Sequence, residues 1–116
     1  MNKSSFKKIS QLINKKKIQE AQLEIAKLGP EYYKNSEYLY LRSKIFYKSN
    51  LYYVAIDTLL VASEFEGSEK VYKLISEIYE VLGNKELSKK ILDINSRSIT
   101  VKSLKDELSG IYRKKI

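Results

Sequence analysis

The strongest constraint in this sequence is a set of residue columns that recur at steps of 34 and then 33 positions. Ala21, Ala55 and Ser88 form a column of small residues. Leu12, Phe46 and Tyr79 form a column of large apolar ones, and Ile9, Ser43 and Ser76 a third. Lys16, Asn50 and Gly83 keep the same two steps. Self-similarity at this period marks one supersecondary unit used several times, each copy too small to bury its own apolar faces.

The unit reads as helical. Apolar residues fall at steps of three and four, the spacing of one helix face. The stripes are Phe6-Ile9-Leu12-Ile13, Ile18-Ala21-Ile25-Leu28, Leu39-Ser43-Phe46-Tyr47 and Tyr52-Ala55-Ile56-Leu59-Ala62. They continue with Tyr72-Ile75-Ser76-Tyr79, Leu87-Ile91-Leu92-Ile94 and Val101-Leu104-Leu108-Ile111. Helices of about three turns are marginal alone in water, so each must pack on neighbours. Alternating β-type runs are absent. Gly29-Pro30, Gly67 and Gly83 sit where connections should fall, with glycine available for left-handed caps and proline unable to continue a helix. Short links at Lys15-Lys16-Lys17, Lys48-Ser49-Asn50 and Leu82-Gly83-Asn84 make neighbouring helices antiparallel.

The columns have a physical meaning. Two helices that cross closely need a small residue on one side, here Ala21, Ala55 or Ser88. A large ring such as Phe46 or Tyr79 packs against it, and Ser43 and Ser76 admit the facing helix one turn earlier. The pattern resembles the tetratricopeptide repeat family. Its clearest unit runs from Leu39 to Phe65, with Ser43, Phe46, Ala55, Leu59 and Ala62 at motif positions. The third unit matches at Tyr72, Ile75, Ser76, Tyr79, Gly83, Ser88 and Leu92 and departs at Asn95. The first is degenerate, with Ile9 at a small position, and the family's proline at the repeat end is missing from the second and third units. The resemblance implies an all-α fold of about seven helices, a right-handed stack of antiparallel hairpins forming one domain over 1–116. Its repeats span about 2–35, 36–67 and 68–97, with a capping helix over 98–113.

In that family the first helices line a concave groove that holds a peptide or a helix of a partner. The resemblance places Phe6, Ser10, Ile13 and Asn14 of the first hairpin on that side. The second contributes Glu37, Tyr40, Lys44, Tyr47 and Lys48, the third Lys70, Lys73, Glu77 and Glu80. The expected partner-binding set is Tyr40, Lys44, Tyr47, Lys48, Lys73, Glu77, Phe6 and Ile13. Aromatic rings beside lysines suit such a surface, since rings supply rigid contact area and charges steer encounter. Relatives that grip the acidic C-terminus of heat-shock chaperones need Lys, Asn and Arg at fixed positions; here Leu41 and Leu74 stand where Asn and Arg are required. Apolar Phe6 and Ile13 also offer a homodimer surface.

The chain has no cysteine and no histidine. Thiol nucleophiles, imidazole acid–base catalysis and zinc sites with N/S ligands all need one of them. No Gly-rich phosphate loop or metal-ligand cluster is recognisable, so the expectation is a non-enzyme with no cofactor and no metal. The net charge is +8, but only Arg42, Arg97 and Arg113 are arginines. Arginine is the preferred residue for bidentate phosphate and base contacts, which argues against nucleic acid. Single-stranded RNA binding by a basic, tyrosine-rich face is the distant alternative. No unbroken apolar stretch follows the basic N-terminus, so neither a signal peptide nor a membrane span is expected, and the reading is cytoplasmic. A narrower expectation has the same architecture: the small chaperones of bacterial type III secretion needle subunits are also stand-alone proteins of three such hairpins.

Overall fold

In the computed structural model, which describes residues 3–65 and 69–97, the chain is all-helical, with six helices packed in adjacent pairs. They are α1 (Lys3–Asn14), α2 (Ile18–Ala26), α3 (Ser36–Lys48), α4 (Tyr52–Phe65), α5 (Glu69–Val81) and α6 (Lys85–Arg97). The expected seventh helix over 98–113 lies outside the described residues. The chain divides into two compact units, Met1–Glu66 and Gly67–Ile116.

The three hairpin turns repeat in backbone detail. Among the described residues positive φ occurs at Lys16 (63°), Asn50 (64°) and Gly83 (86°). The N–H one residue beyond each of these turns donates back to the first helix. Lys17 reaches the carbonyl of Leu12 at 2.8 Å, Leu51 that of Phe46 at 2.9 Å, and Asn84 that of Tyr79 at 2.9 Å. This six-residue closure around a left-handed residue is a Schellman cap. The same link residue then starts the second helix, accepting from Ala21, Ala55 and Ser88 at 3.0, 3.0 and 3.1 Å. The 34 and 33 steps of the sequence are thus steps of a conserved turn geometry, not only of composition.

Inside the first unit, α1 pairs with α2 and α3 with α4, and α3 lies against both helices of the first hairpin. Ile9, Ile13, Ala21 and Ile25 are buried in the first hairpin, and Tyr38, Leu39, Leu41, Ser43, Ile45, Ala55, Ile56, Leu59, Leu60 and Ala62 in the second. Helix α3 begins with Asn35, whose Oδ1 accepts from the Tyr38 N–H at 3.0 Å, an N-cap that satisfies one of the open donors of the first turn. The Gly29-Pro30 break behaves differently from expectation. Gly29 is extended (φ −79°, ψ 179°), not left-handed, because α2 has already ended through a right-handed cap at Lys27. Pro30 then opens a short 3-10 turn, Pro30–Tyr32, at a position where no backbone N–H is needed.

In the second unit α5 pairs with α6. Val71, Tyr72, Leu74, Ile75, Ser76, Ile78 and Tyr79 of α5 are buried, with Leu87, Ser88 and Ile91 of α6. Leu92, expected in the core stripe, is 45% exposed, while Ile91 beside it is buried; Ile91 stands four residues after the buried Leu87 and so shares its helix face. Asn84 caps α6, its Oδ1 accepting from the Leu87 N–H at 3.1 Å. Among the described residues no helix is long and apolar enough to cross a membrane.

Candidate functional site

The outward face of α3 in the first unit carries a stripe built at helical spacing. Tyr40, Lys44, Tyr47 and Lys48 stand at i, i+4, i+7 and i+8, on one side of the helix. Their side chains are organised against each other. The Lys44 ammonium lies over the Tyr40 ring, 5.6 Å from its centre, and the Lys48 ammonium over the Tyr47 ring at 5.5 Å. Each pairing orients a cation on a ring by the attraction of the ring's quadrupole. Tyr47 also stands 5.9 Å from Tyr52 at the start of α4, and the Tyr52 hydroxyl donates to Asn50 Oδ1 at 3.0 Å. The left-handed turn at Asn50 therefore fixes one end of the stripe.

The other end meets the first hairpin. Phe6, Lys7, Ser10 and Gln11 of α1 and Glu37 of α3 line an open depression of about 460 Å³. Phe6 is held from behind by Tyr32, edge-on at 6.1 Å, so the Pro30–Tyr32 turn positions it. The family resemblance places Phe6, Ser10 and Glu37 on one side, and the structure brings the three together around this depression. Ile13 was placed there too, and that assignment is corrected: Ile13 is 2% exposed and belongs to the core of the first hairpin. It lies four residues after Ile9, hence on the same helix face, and Ile9 is also buried. For the same reason Ile13 is not available as a homodimer surface.

Lys73 and Glu77 belong to the second unit, exposed on α5. Lys73 pairs with Glu69 at 3.3 Å, one turn back. Between highly exposed side chains such a pair contributes little.

Charge is sorted by helix in the first unit. Helices α1 and α3 carry Lys7, Lys8, Arg42, Lys44 and Lys48 against one carboxylate, Glu37. Helices α2 and α4 carry Glu20, Glu24, Asp57 and Glu64 and no basic residue at all. Sequence reading based on net charge averaged this away. Lys7 lies off the repeat columns, so the repeat gives no signal for it, whereas its place on α1 among the basic residues does.

A second surface repeats between the hairpins of this unit. Lys8, Leu12, Glu20, Leu23, Glu24, Ala26 and Lys27 line a depression of about 590 Å³ on the first. Thirty-four residues later, Arg42, Phe46, Val54, Asp57, Thr58 and Val61, with Leu39, line one of about 250 Å³ on the second. On the first hairpin Glu24 is gripped by Lys27 at 2.9 Å and by Lys8 at 3.3 Å. The Lys27 hydrogen bond above all, and then Lys8, hold its carboxyl below the usual range despite some desolvation. On the second hairpin Thr58 and Val61 stand in place of Glu24 and Lys27, and partial desolvation there pushes the Asp57 carboxyl up. Phe46 is half-buried and lines this depression, with the Arg42 guanidinium 5.5 Å from the centre of its ring.

Among the described residues no three His, Cys, Asp or Glu side chains cluster as a metal site would require. No protein-family model, curated protein or solved structure matches this chain.

Proposed function

We propose that this protein is a non-catalytic protein–protein interaction module of the cytoplasm, which binds a peptide or helix of a partner along the first-helix layer of its N-terminal unit. The observation that carries this reading is the Tyr40–Lys44 and Tyr47–Lys48 stripe beside the Phe6–Glu37 depression. Together they make a continuous strip of half-buried aromatic area with charged heads, held by two packed helices. Rigid rings with polar ends are what protein interfaces concentrate at their anchors. The likeness of the hairpins to tetratricopeptide repeats supports the same side of the layer as the binding side.

The test is a photo-crosslinking side chain placed at Tyr40 or Tyr47 in the native cell, with Val81 of the second unit as the control position. Protein adducts specific to the α3 positions and mapping to one short segment of a partner support the module. If that partner is a small helical export substrate, the narrower secretion-chaperone version is selected; a large assembly selects a scaffold. Adducts no different from those at Val81 would remove the proposal.

A further inference from the structure

The sorting of charge in the first unit goes further than a generic binding strip, and it rests on that strip being the binding surface. We infer that the occupant is an acidic amphipathic helix, with carboxylates spaced to meet Lys44 and Lys48. Those lysines stand one helical turn apart, about 5–6 Å, which is the spacing of carboxylates at i and i+4 on a partner helix. Each ammonium rests on a tyrosine ring, so its stem is ordered before any partner arrives, which lowers the entropy lost on pairing. Lys7 adds a third cation at the depression, and Glu37 is the single carboxylate of these two helices. Glu20, Glu24, Asp57 and Glu64 stand on α2 and α4 instead, with Glu31 on the Pro30–Tyr32 turn, and Glu24 is already paired with Lys8 and Lys27.

The same details favour carboxylates over nucleic acid. One face of Tyr40 and one face of Tyr47 are already covered by lysine, and Tyr47 stands beside Tyr52. A single-strand binder needs open ring faces on which bases stack. The one arginine of α3, Arg42, lies over Phe46 in the other depression.

The experiment uses the full chain and three synthetic helical peptides that share one apolar face and carry Glu, Gln or Lys at the polar positions, with a short oligouridine as a fourth probe. Binding is followed by fluorescence anisotropy, and the site by amide chemical shifts of α3. The Glu peptide is expected to bind about tenfold tighter than the Gln peptide at low salt, an advantage that shrinks as salt is added. Lys44→Gln with Lys48→Gln should bring it down to the Gln peptide's level, and Lys44→Glu with Lys48→Glu should make the Lys peptide the better ligand. Lys89→Glu with Lys90→Glu, the same change of charge on α6, should leave the preference intact; an equal reversal there means net charge alone acts and overturns the inference. Glu and Gln peptides binding equally well on α3 would overturn the acidic preference while leaving the strip as a helix-binding surface. No α3 shifts with any peptide would remove both. Oligouridine shifting α3 more strongly than the Glu peptide would assign the strip to nucleic acid instead.

Discussion

The second and third hairpins close the same turn and cross at the same pair of columns, yet they fill the crossing differently. In the second, Ser43 and Ala55 hold the positions that Ser76 and Ser88 hold in the third, and the Ser43 hydroxyl donates back to the Tyr40 carbonyl of its own helix at 2.6 Å. In the third, Ala55 is replaced by Ser88. Ser76 Oγ there reaches across the hairpin, donating to the Ser88 carbonyl at 3.0 Å and lying 2.7 Å from Ser88 Oγ. All four residues are buried. What the two crossings share is small volume, and what differs is whether a hydrogen bond joins the helices. Size is therefore the requirement and polarity the variable.

Four measurements can break or sharpen that comparison. The largest effect should come from volume. Ala55, fully buried, replaced as Ala55→Leu forces α3 and α4 apart and should cost about 3 kcal/mol in denaturant unfolding of the first unit. A loss under about 1 kcal/mol would mean the crossing has slack and small size is not the rule. Next comes polarity. Ser76→Ala removes a bond that joins two helices and leaves Ser88 buried without it, an expected loss of about 1–2 kcal/mol. Ser43→Ala removes only a bond within one helix and should cost less than about 1 kcal/mol. Equal losses would erase the distinction between the hairpins.

The third measurement compares turns. Gly83→Ala puts a side chain at φ 86° with open space around it, so its cost, about 1 kcal/mol, is conformational alone. The reverse change at the equivalent turn, Lys16→Gly, should gain a few tenths up to about 1 kcal/mol. Thermal midpoints moving the same way in both variants would show that the turns are not equivalent.

The smallest effect is the pH response of the first hairpin. Lys27 and then Lys8 hold the Glu24 carboxyl below its ordinary range, so the folded state prefers the ionised form. The resulting stabilisation is present above the unfolded-state value and is lost as pH falls through the lowered folded value. Acid titration of stability should flatten in Glu24→Gln within that window. An unchanged profile would show that these exposed pairs contribute nothing.

Much of this architecture was legible beforehand because two independent signals agreed. The small-residue column and the turn column carry the same 34 and 33 steps, and helix periodicity placed elements on either side of each turn. Lys16 is the instructive case: a lysine offers no local hint of left-handed backbone, and only its register with Asn50 and Gly83 reveals it. The site was less legible. Tyr40 and Lys44 pair at i and i+4, which sequence shows directly, whereas Lys48 turns onto its immediate neighbour Tyr47, which spacing does not show. Ile13 was misplaced because a family register was carried onto the degenerate first hairpin, where Ile9 had already defined the buried face.

The layering of charge in the first unit has a consequence at ranges where no atoms touch. Lys7, Lys44 and Lys48, with Glu37 as the lone carboxylate of α1 and α3, make the strip side of the two helices positive, and the field of a positive surface draws an anionic neighbour toward it before contact. At physiological salt that field persists over about 8 Å, several water layers beyond contact. On the proposed reading, an acidic partner would therefore be steered toward Tyr40 and Tyr47 before contact, so that fewer collisions are wasted on the wrong side.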